Sequence, residues 1–180
     1  MMNIDKLIDN VIAVEGDYSN HPADRGGPTR WGVTEAVARR HGYGGSMRHF
    51  PYDEAAAIYK RTYWLRPGFD KIAAYAPMLA AELFDTGINM GAGVATGFLQ
   101  RALNALNRNG QDFSDIAVDR KIGPQTVGAL QQFFNKRGDS GETVLLKAVE
   151  ALQGERYIKL AEQRPANEAF LYGWLAHRIG

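Results

Sequence analysis

The amino-acid sequence predicts a mainly α-helical fold. Apolar residues recur along most of the chain at the three- and four-residue spacing of amphipathic helices. Helix starters and stoppers stand between those stretches, with Thr34, Pro77 and Pro124 at starts and Gly16, Pro67-Gly68 and Pro165 at stops. The Gly/Pro/Asn/Asp-rich stretch from Gly16 to Gly32 fits no regular helix and has Trp31, Val33 and Thr34 as its only strand-like residues. No internal repeat or low-complexity segment interrupts the pattern.

The first helix places Ile4, Leu7, Ile8, Val11 and Ile12 on one face, with Asp5, Lys6, Asp9 and Asn10 between them. Glu15 follows Val11 by four residues and continues the apolar face, and Gly16 ends the helix as a C-cap residue does. From Gly16 to Gly32 the chain is too rich in Gly, Pro, Asn and Asp for a regular helix, and an irregular loop or small hairpin is expected. Thr34 caps a helix from about Glu35 to Arg40, whose basic end, Arg39-Arg40-His41, complements the helix dipole. Asp53 is expected to cap a helix from Glu54 to about Trp64. Pro77 and Gly87 bracket the next, with Leu79, Leu83 and Phe84 inward.

Val94, Phe98, Leu99, Ala102, Leu103 and Leu106 then mark a long helix. Asn107 to Gly123 reads as a polar loop and a seam between two halves. Pro124 opens a helix with Val127, Leu130 and Phe134 inward. Asp139 and Glu142 resemble a capping box opening a last long helix, with Leu145, Ala148, Val149 and Leu152 on its inner face. Phe170, Leu171, Trp174 and Leu175 form an apolar tail expected to dock on the core.

A chain of 180 residues can bury such a core without staples. The 45% hydrophobic and 23% charged fractions exclude disorder. Lys and Arg number 21 against 20 Asp and Glu, and no basic run forms a nucleic-acid footprint. With no cysteine, disulfides and thiolate chemistry are excluded. The N-terminal pattern carries Asp5 and Asp9 and lacks a continuous apolar segment, so no cleavable signal peptide is expected. No run approaches the roughly 20 apolar residues of a membrane span.

The chemistry concentrates near Glu15. A carboxyl that continues an apolar face and then meets a loop can be partly desolvated while facing a cleft, which keeps a carboxylic acid protonated near neutral pH. A frayed or salt-bridged helix end is the competing reading. Asp24 stands nine residues further on and Thr29 five beyond it, with Gly26-Gly27-Pro28 turning the backbone between them. Glycoside hydrolysis needs an acid for the leaving oxygen and a second group that activates water or stabilises an oxocarbenium ion. Asp24 and Thr29 are equally explained as turn formers, Thr29 by bonding within its own turn.

Tyr18, Trp31, Tyr63 and Trp64 offer flat, polar-tipped faces for sugar rings, or else belong to the core. Asp85 and Asn89 stand at a helix end, where they line a saccharide groove or cap the helix. His21, His41, His49 and His177 show no metal-ligand spacing, and Ser19 and Ser46 lack a nucleophile-elbow context. No metal site is expected.

Glu15-Gly16-x-Tyr18, Asp24-x-Gly26-Gly27-x-Thr29 and Gly32-Val33-Thr34 together resemble the signature of glycoside hydrolase family 108, the N-acetylmuramidase endolysins of phages and prophages. The Glu, Asp, Thr order is also similar to the phage T4 type of lysozyme. In the second half, Leu99-Gln100-x-x-Leu103, Val118-Asp119, Ile122-Gly123-Pro124-x-Thr126 and Ala129-Leu130 resemble the predicted peptidoglycan-binding domain that accompanies this family. The resemblance runs to about Leu160. Two positions depart from it: Asp17 stands where the family commonly has a second glycine, and Asp119-Arg120 where the module often has Asp-Gly.

The resemblance implies a lysozyme-like α-helical fold, with residues 1–92 as the catalytic region and 93–180 as a helical peptidoglycan-binding region packed with it as one unit. It implies that Glu15 is the general acid of a muramidase cutting the β-1,4 bond between N-acetylmuramic acid and N-acetylglucosamine, with Asp24 and Thr29 orienting or activating water. A lytic transglycosylase using Glu15 alone, and a non-catalytic wall-binding protein, are the alternatives. No cofactor is implied, since acid catalysis on an acetal needs none. The implied partner is peptidoglycan glycan strands, reached by a monomer made in the bacterial cytoplasm through holin-assisted or signal-independent export, without stable membrane insertion.

Overall fold

The computed structural model describes residues 3–20 and 27–179, apart from the side chains of residues 14 and 15. It is mainly α and lysozyme-like, with one small sheet. The chain divides into two compact units, Met1–Arg66 and Pro67–Gly180.

In the first unit, α1 (Ile4–Glu15) starts at Asn3, whose Oδ1 accepts from the Asp5 amide at 3.0 Å. Ile8 and Ile12, the centre of the predicted stripe, are each 1% exposed. Gly16, at φ +83°, ends the helix in a conformation that a side chain would disfavour. The small hairpin expected after Gly16 is present and carries a third strand. Three two-residue strands, β1 (Tyr18–Ser19), β2 (Thr29–Arg30) and β3 (Val33–Thr34), pair antiparallel in that order. β2 turns into β3 through Trp31 and Gly32, both at positive φ, the geometry of a type I′ hairpin.

Thr34 closes β3 and caps α2 (Glu35–Arg40), its hydroxyl accepting from the Val37 amide at 3.4 Å. After a 3-10 turn over Met47–His49 comes α3 (Tyr52–Tyr59). Its cap is a correction, because the helix begins at Tyr52 after Pro51, leaving Asp53 inside the first turn with no capping bond. The Tyr52 hydroxyl donates to the Asp9 carboxylate, tying α3 to α1. That bond pushes the Tyr52 pKa up to about 12. The helix then widens into a π-helical segment, Lys60–Leu65, and the Arg66 amide donates five residues back to the Arg61 carbonyl at 3.0 Å.

The second unit holds α4 (Phe69–Ala73), α5 (Pro77–Met90), α6 (Ala92–Leu106), α7 (Pro124–Arg137), α8 (Ser140–Gln163) and α9 (Glu168–Arg178). Gly87 lies in the last turn of α5, near the helix end as expected. A Cβ there would meet the Phe69 ring at 3.1 Å, so this glycine lets α4 approach α5. The α5 N-terminus accounts for its donors in an unexpected way. Pro77 has no amide hydrogen, and the next two amides, of Met78 and Leu79, donate to the Glu142 carboxylate at 2.7 and 3.2 Å. Glu142 is therefore no capping-box residue of its own helix. Asp139 makes no side-chain capping bond, and α8 presents Glu142 to α5 instead.

Residues 107–123, expected as a seam, are bonded onto α6 inside the second unit. Asn104 exchanges two hydrogen bonds with the Ile116 backbone, at 2.8 and 2.9 Å. Gln100, 1% exposed, accepts from the Arg120 amide at 2.9 Å. Its Nε2 reaches the Asp119 carboxylate at 2.8 Å, and the Lys121 carbonyl and Thr126 hydroxyl at 3.1 Å. The inner face of α7 is Thr126, Ala129, Leu130 and Phe133 rather than Phe134. The C-terminal tail docks only in part: Trp174 stacks on Tyr157 at 5.2 Å, while Phe170 is 59% exposed.

Candidate active site

Glu15 is the last residue of α1, as its spacing predicts. Its side chain, Asp24 and His21 lie outside the described residues. Directly after Gly16, the Asp17 carbonyl accepts from the Trp31 amide at 2.9 Å, and its carboxylate pairs with the Arg30 guanidinium at 2.8 Å. The ladder continues through Tyr18 opposite Arg30 and Ser19 opposite Thr29. Strands β1 and β2 thus close Tyr18 and Ser19 against Thr29 and Arg30 directly after the end of α1. Asp17 serves that closure, and its φ is not positive, so glycine is not required there.

Thr29 sits on β2 between Ser19 and Thr34. Its hydroxyl donates to the Gly27 carbonyl at 3.2 Å, the bond within its own turn that competes with a catalytic role. Tyr18 is half-buried, with the Arg48 guanidinium 4.8 Å over its ring. Trp31 donates from Nε1 to the Phe50 carbonyl at 3.2 Å and meets the Tyr52 ring edge-on at 5.4 Å. For a bulky residue its φ of +53° is rare, and such strain persists only where the surroundings hold it.

Trp64 requires a correction: at 5% exposure its ring is interior and offers no face to a sugar. Tyr63 is half-buried and lines a cleft. Asp85 and Asn89 belong to the second unit, on the last turns of α5. Asn89 donates to both the carbonyl and the carboxylate of Asp85, at 2.9 and 3.0 Å, and Arg178 lies 3.5 Å from the same carboxylate.

The cleft beside Tyr63 was not foreseen. It measures about 490 Å³ and runs between β3 and α2 on one side and the end of α3 with the π-helical segment on the other. The sequence signal that could have found it is the alignment of Val37, Arg40 and His41 with Tyr59, Thr62, Tyr63 and Arg66, each set at helical spacing.

Residues 8–91 match the family model of glycosyl hydrolase 108, and residues 94–179 that of a predicted peptidoglycan domain. The chain pairs a glycosyl hydrolase 108 region with a predicted peptidoglycan domain. It is a glycoside hydrolase that acts on peptidoglycan, and so on the cell wall. The solved structure of SagA from Brucella abortus is similar in fold, with a TM-score of 0.64 at 21% identity over 96% of this chain and 87% of that one. No curated protein matches the chain. Among the described residues, no helix is long and apolar enough to cross a membrane. The glycosyl hydrolase region extends past the first compact unit, taking in α4 and α5 of the second.

Proposed function

We propose that this glycosyl hydrolase is a muramidase of the endolysin type, cutting the β-1,4 bond between N-acetylmuramic acid and N-acetylglucosamine, with Glu15 as general acid. Residues 1–92 then form the catalytic region, and residues 93–180 the part that engages the wall. The observation that carries the reading is the closure beside Glu15. The β1–β2 ladder brings Thr29 opposite Ser19, four residues after Glu15. A glutamic acid at the end of a helix, a Thr on the ladder that follows it and Asp24 as a second carboxyl supply the groups that glycoside hydrolysis needs.

In the reaction, Glu15 gives its proton to the glycosidic oxygen as the bond from that oxygen to the anomeric carbon breaks. Positive charge on the anomeric carbon is met by a water, whose proton passes to Asp24, with Thr29 orienting the water. One product carries a new reducing end and the other a free hydroxyl.

Glu15→Gln keeps the side-chain shape and removes the acid. It is expected to lower the rate of reducing-end release from peptidoglycan by about 10²–10⁴-fold, with an unchanged melting temperature. Full activity in that variant overturns the assignment. Mass spectrometry of wild-type products is expected to show hydrolysed muropeptides; anhydro products, lighter by one water, would assign the chain to the lytic transglycosylases instead.

A further inference from the structure

The 490 Å³ cleft beside β3 has a one-sided charge pattern. Arg40 and His41 stand on one wall and Arg66 on the other, and among the described residues no acidic side chain lines it. Neither Arg40 nor Arg66 makes an ion pair among the described residues. The run Arg39-Arg40-His41 splits its duties: Arg39 pairs with Glu35 at 2.6 Å and donates to the Tyr43 and Gly45 carbonyls at 2.7 Å, which leaves Arg40 and His41 to the cleft. The dipole of α2 accounts for basic residues at its own end, but not for Arg66 across the gap. Glu54 and Arg61 line an adjoining depression that shares His41 and Ile58.

The opposite wall is equally specific. Tyr59, Thr62, Tyr63 and Arg66 are offset by three, four and seven residues, and the π-helical widening sets Thr62, Tyr63 and Arg66 against β3. Such widenings concentrate at functional sites. The floor includes Thr34, which pairs with Thr29 on the neighbouring strand, so the cleft lies about 5 Å in backbone spacing from a proposed catalytic residue.

We propose that this cleft binds the peptide stem of peptidoglycan through its free carboxylates. Arg40 and Arg66 take the carboxylates from opposite walls, and the Thr62 and Tyr63 side chains contact the peptide between them. The glycan itself is a neutral chain of sugars apart from its lactyl groups, while the stems carry the charge, and guanidinium groups suit planar carboxylates. The proposal rests on the peptidoglycan substrate of the preceding section and adds the part of that substrate which the cleft reads.

The test uses the full chain and two readouts. In direct binding, a soluble tetrapeptide stem is expected to bind the wild type at least about 10-fold more tightly than its methyl ester, a preference that Arg40→Gln/Arg66→Gln abolishes and Arg40→Lys/Arg66→Lys partly keeps. In catalysis, wild type is expected to have a higher kcat/KM on peptide-bearing glycan than on strands stripped of peptide, and the Gln pair to bring that ratio near one. Equal binding of acid and ester, or a Gln pair that keeps the preference, overturns the proposal. Displacement of the stem by inorganic phosphate at equal concentration also overturns it, assigning the cleft to phosphate. Failure of the hydrolase reading is separate: it shows as no reducing ends from either substrate, while the binding arm still decides the cleft.

Discussion

Two irregular segments of this chain look alike in composition and are held in opposite ways. Residues 16–34 and residues 107–123 are both rich in Gly, Asp and Asn. The second is fastened from beneath by the buried Gln100 and the half-buried Asn104 of α6, each satisfying backbone groups on both sides of its carboxamide. The first is fastened along its edge, by a ladder of two-residue strands and an exposed ion pair between Asp17 and Arg30. A buried amide is costly to leave unpaired, so it commits its loop to one conformation. An edge ladder and a solvated ion pair commit far less. The strands that follow Glu15 are thus the more weakly fastened of the two.

The sharpest way to break that comparison is to remove both fastenings. Gln100→Ala leaves the Arg120 amide and its neighbours without partners and is expected to cost about 3 kcal/mol in urea unfolding, with amide exchange accelerated at residues 116–121. Asp17→Ala, by contrast, is expected to cost less than about 1 kcal/mol, because its carboxylate side chain is 64% exposed. Equal losses would erase the distinction.

Glu82 sharpens it from inside the second unit, as a buried acid whose hydrogen bond does not keep it ionised. Burial pushes its carboxyl up from 4.5 to about 7, aided by Asp85 and Glu150 and opposed by the Thr86 hydroxyl at 3.0 Å. The folded pKa is the higher one, so the unfolded chain releases this proton first and stability falls as pH rises through that interval. The loss is expected to be about 2–3 kcal/mol, complete above pH 7, and absent in Glu82→Gln; parallel pH profiles for the two proteins would refute it.

The smallest effect concerns Arg120, held at φ +64° where the resembled module often has glycine. Its stem lies across Gly93 and Gly97 of α6. Arg120→Gly relieves about 1 kcal/mol of left-handed strain and loses that packing, so thermal unfolding is expected to move by less than about 1 kcal/mol. A larger loss would show that the stem, beside Gln100, fastens the loop.

Helix positions were legible because they follow from apolar spacing and from residues that act within one turn, as Thr34 does for α2 and Gly16 for α1. What the sequence could not show are partnerships between distant elements. Glu142 three residues after Asp139 matches a local capping box, and only the packed helices reveal that its carboxylate belongs to α5. Trp64 reads as a possible sugar platform by type and becomes interior through its helix face. The cleft escaped notice for a related reason: its walls come from separate elements, and only packing sets Arg40 and His41 across from Tyr63 and Arg66. Around the candidate site, the position of Glu15 at the end of α1 was readable, since a C-cap glycine is a local signal.

The carboxylate that Glu142 lends to α5 bears on how such proteins exchange parts. The two family segments meet between residues 91 and 94, yet the start of α5, in the hydrolase segment, is completed by a side chain from the peptidoglycan segment. A recombination event that joined this hydrolase segment to a foreign partner would inherit a helix with two unanswered amides. Successful shuffling must therefore select partners that carry an acid at the matching place, which makes that position a compatibility key between modules.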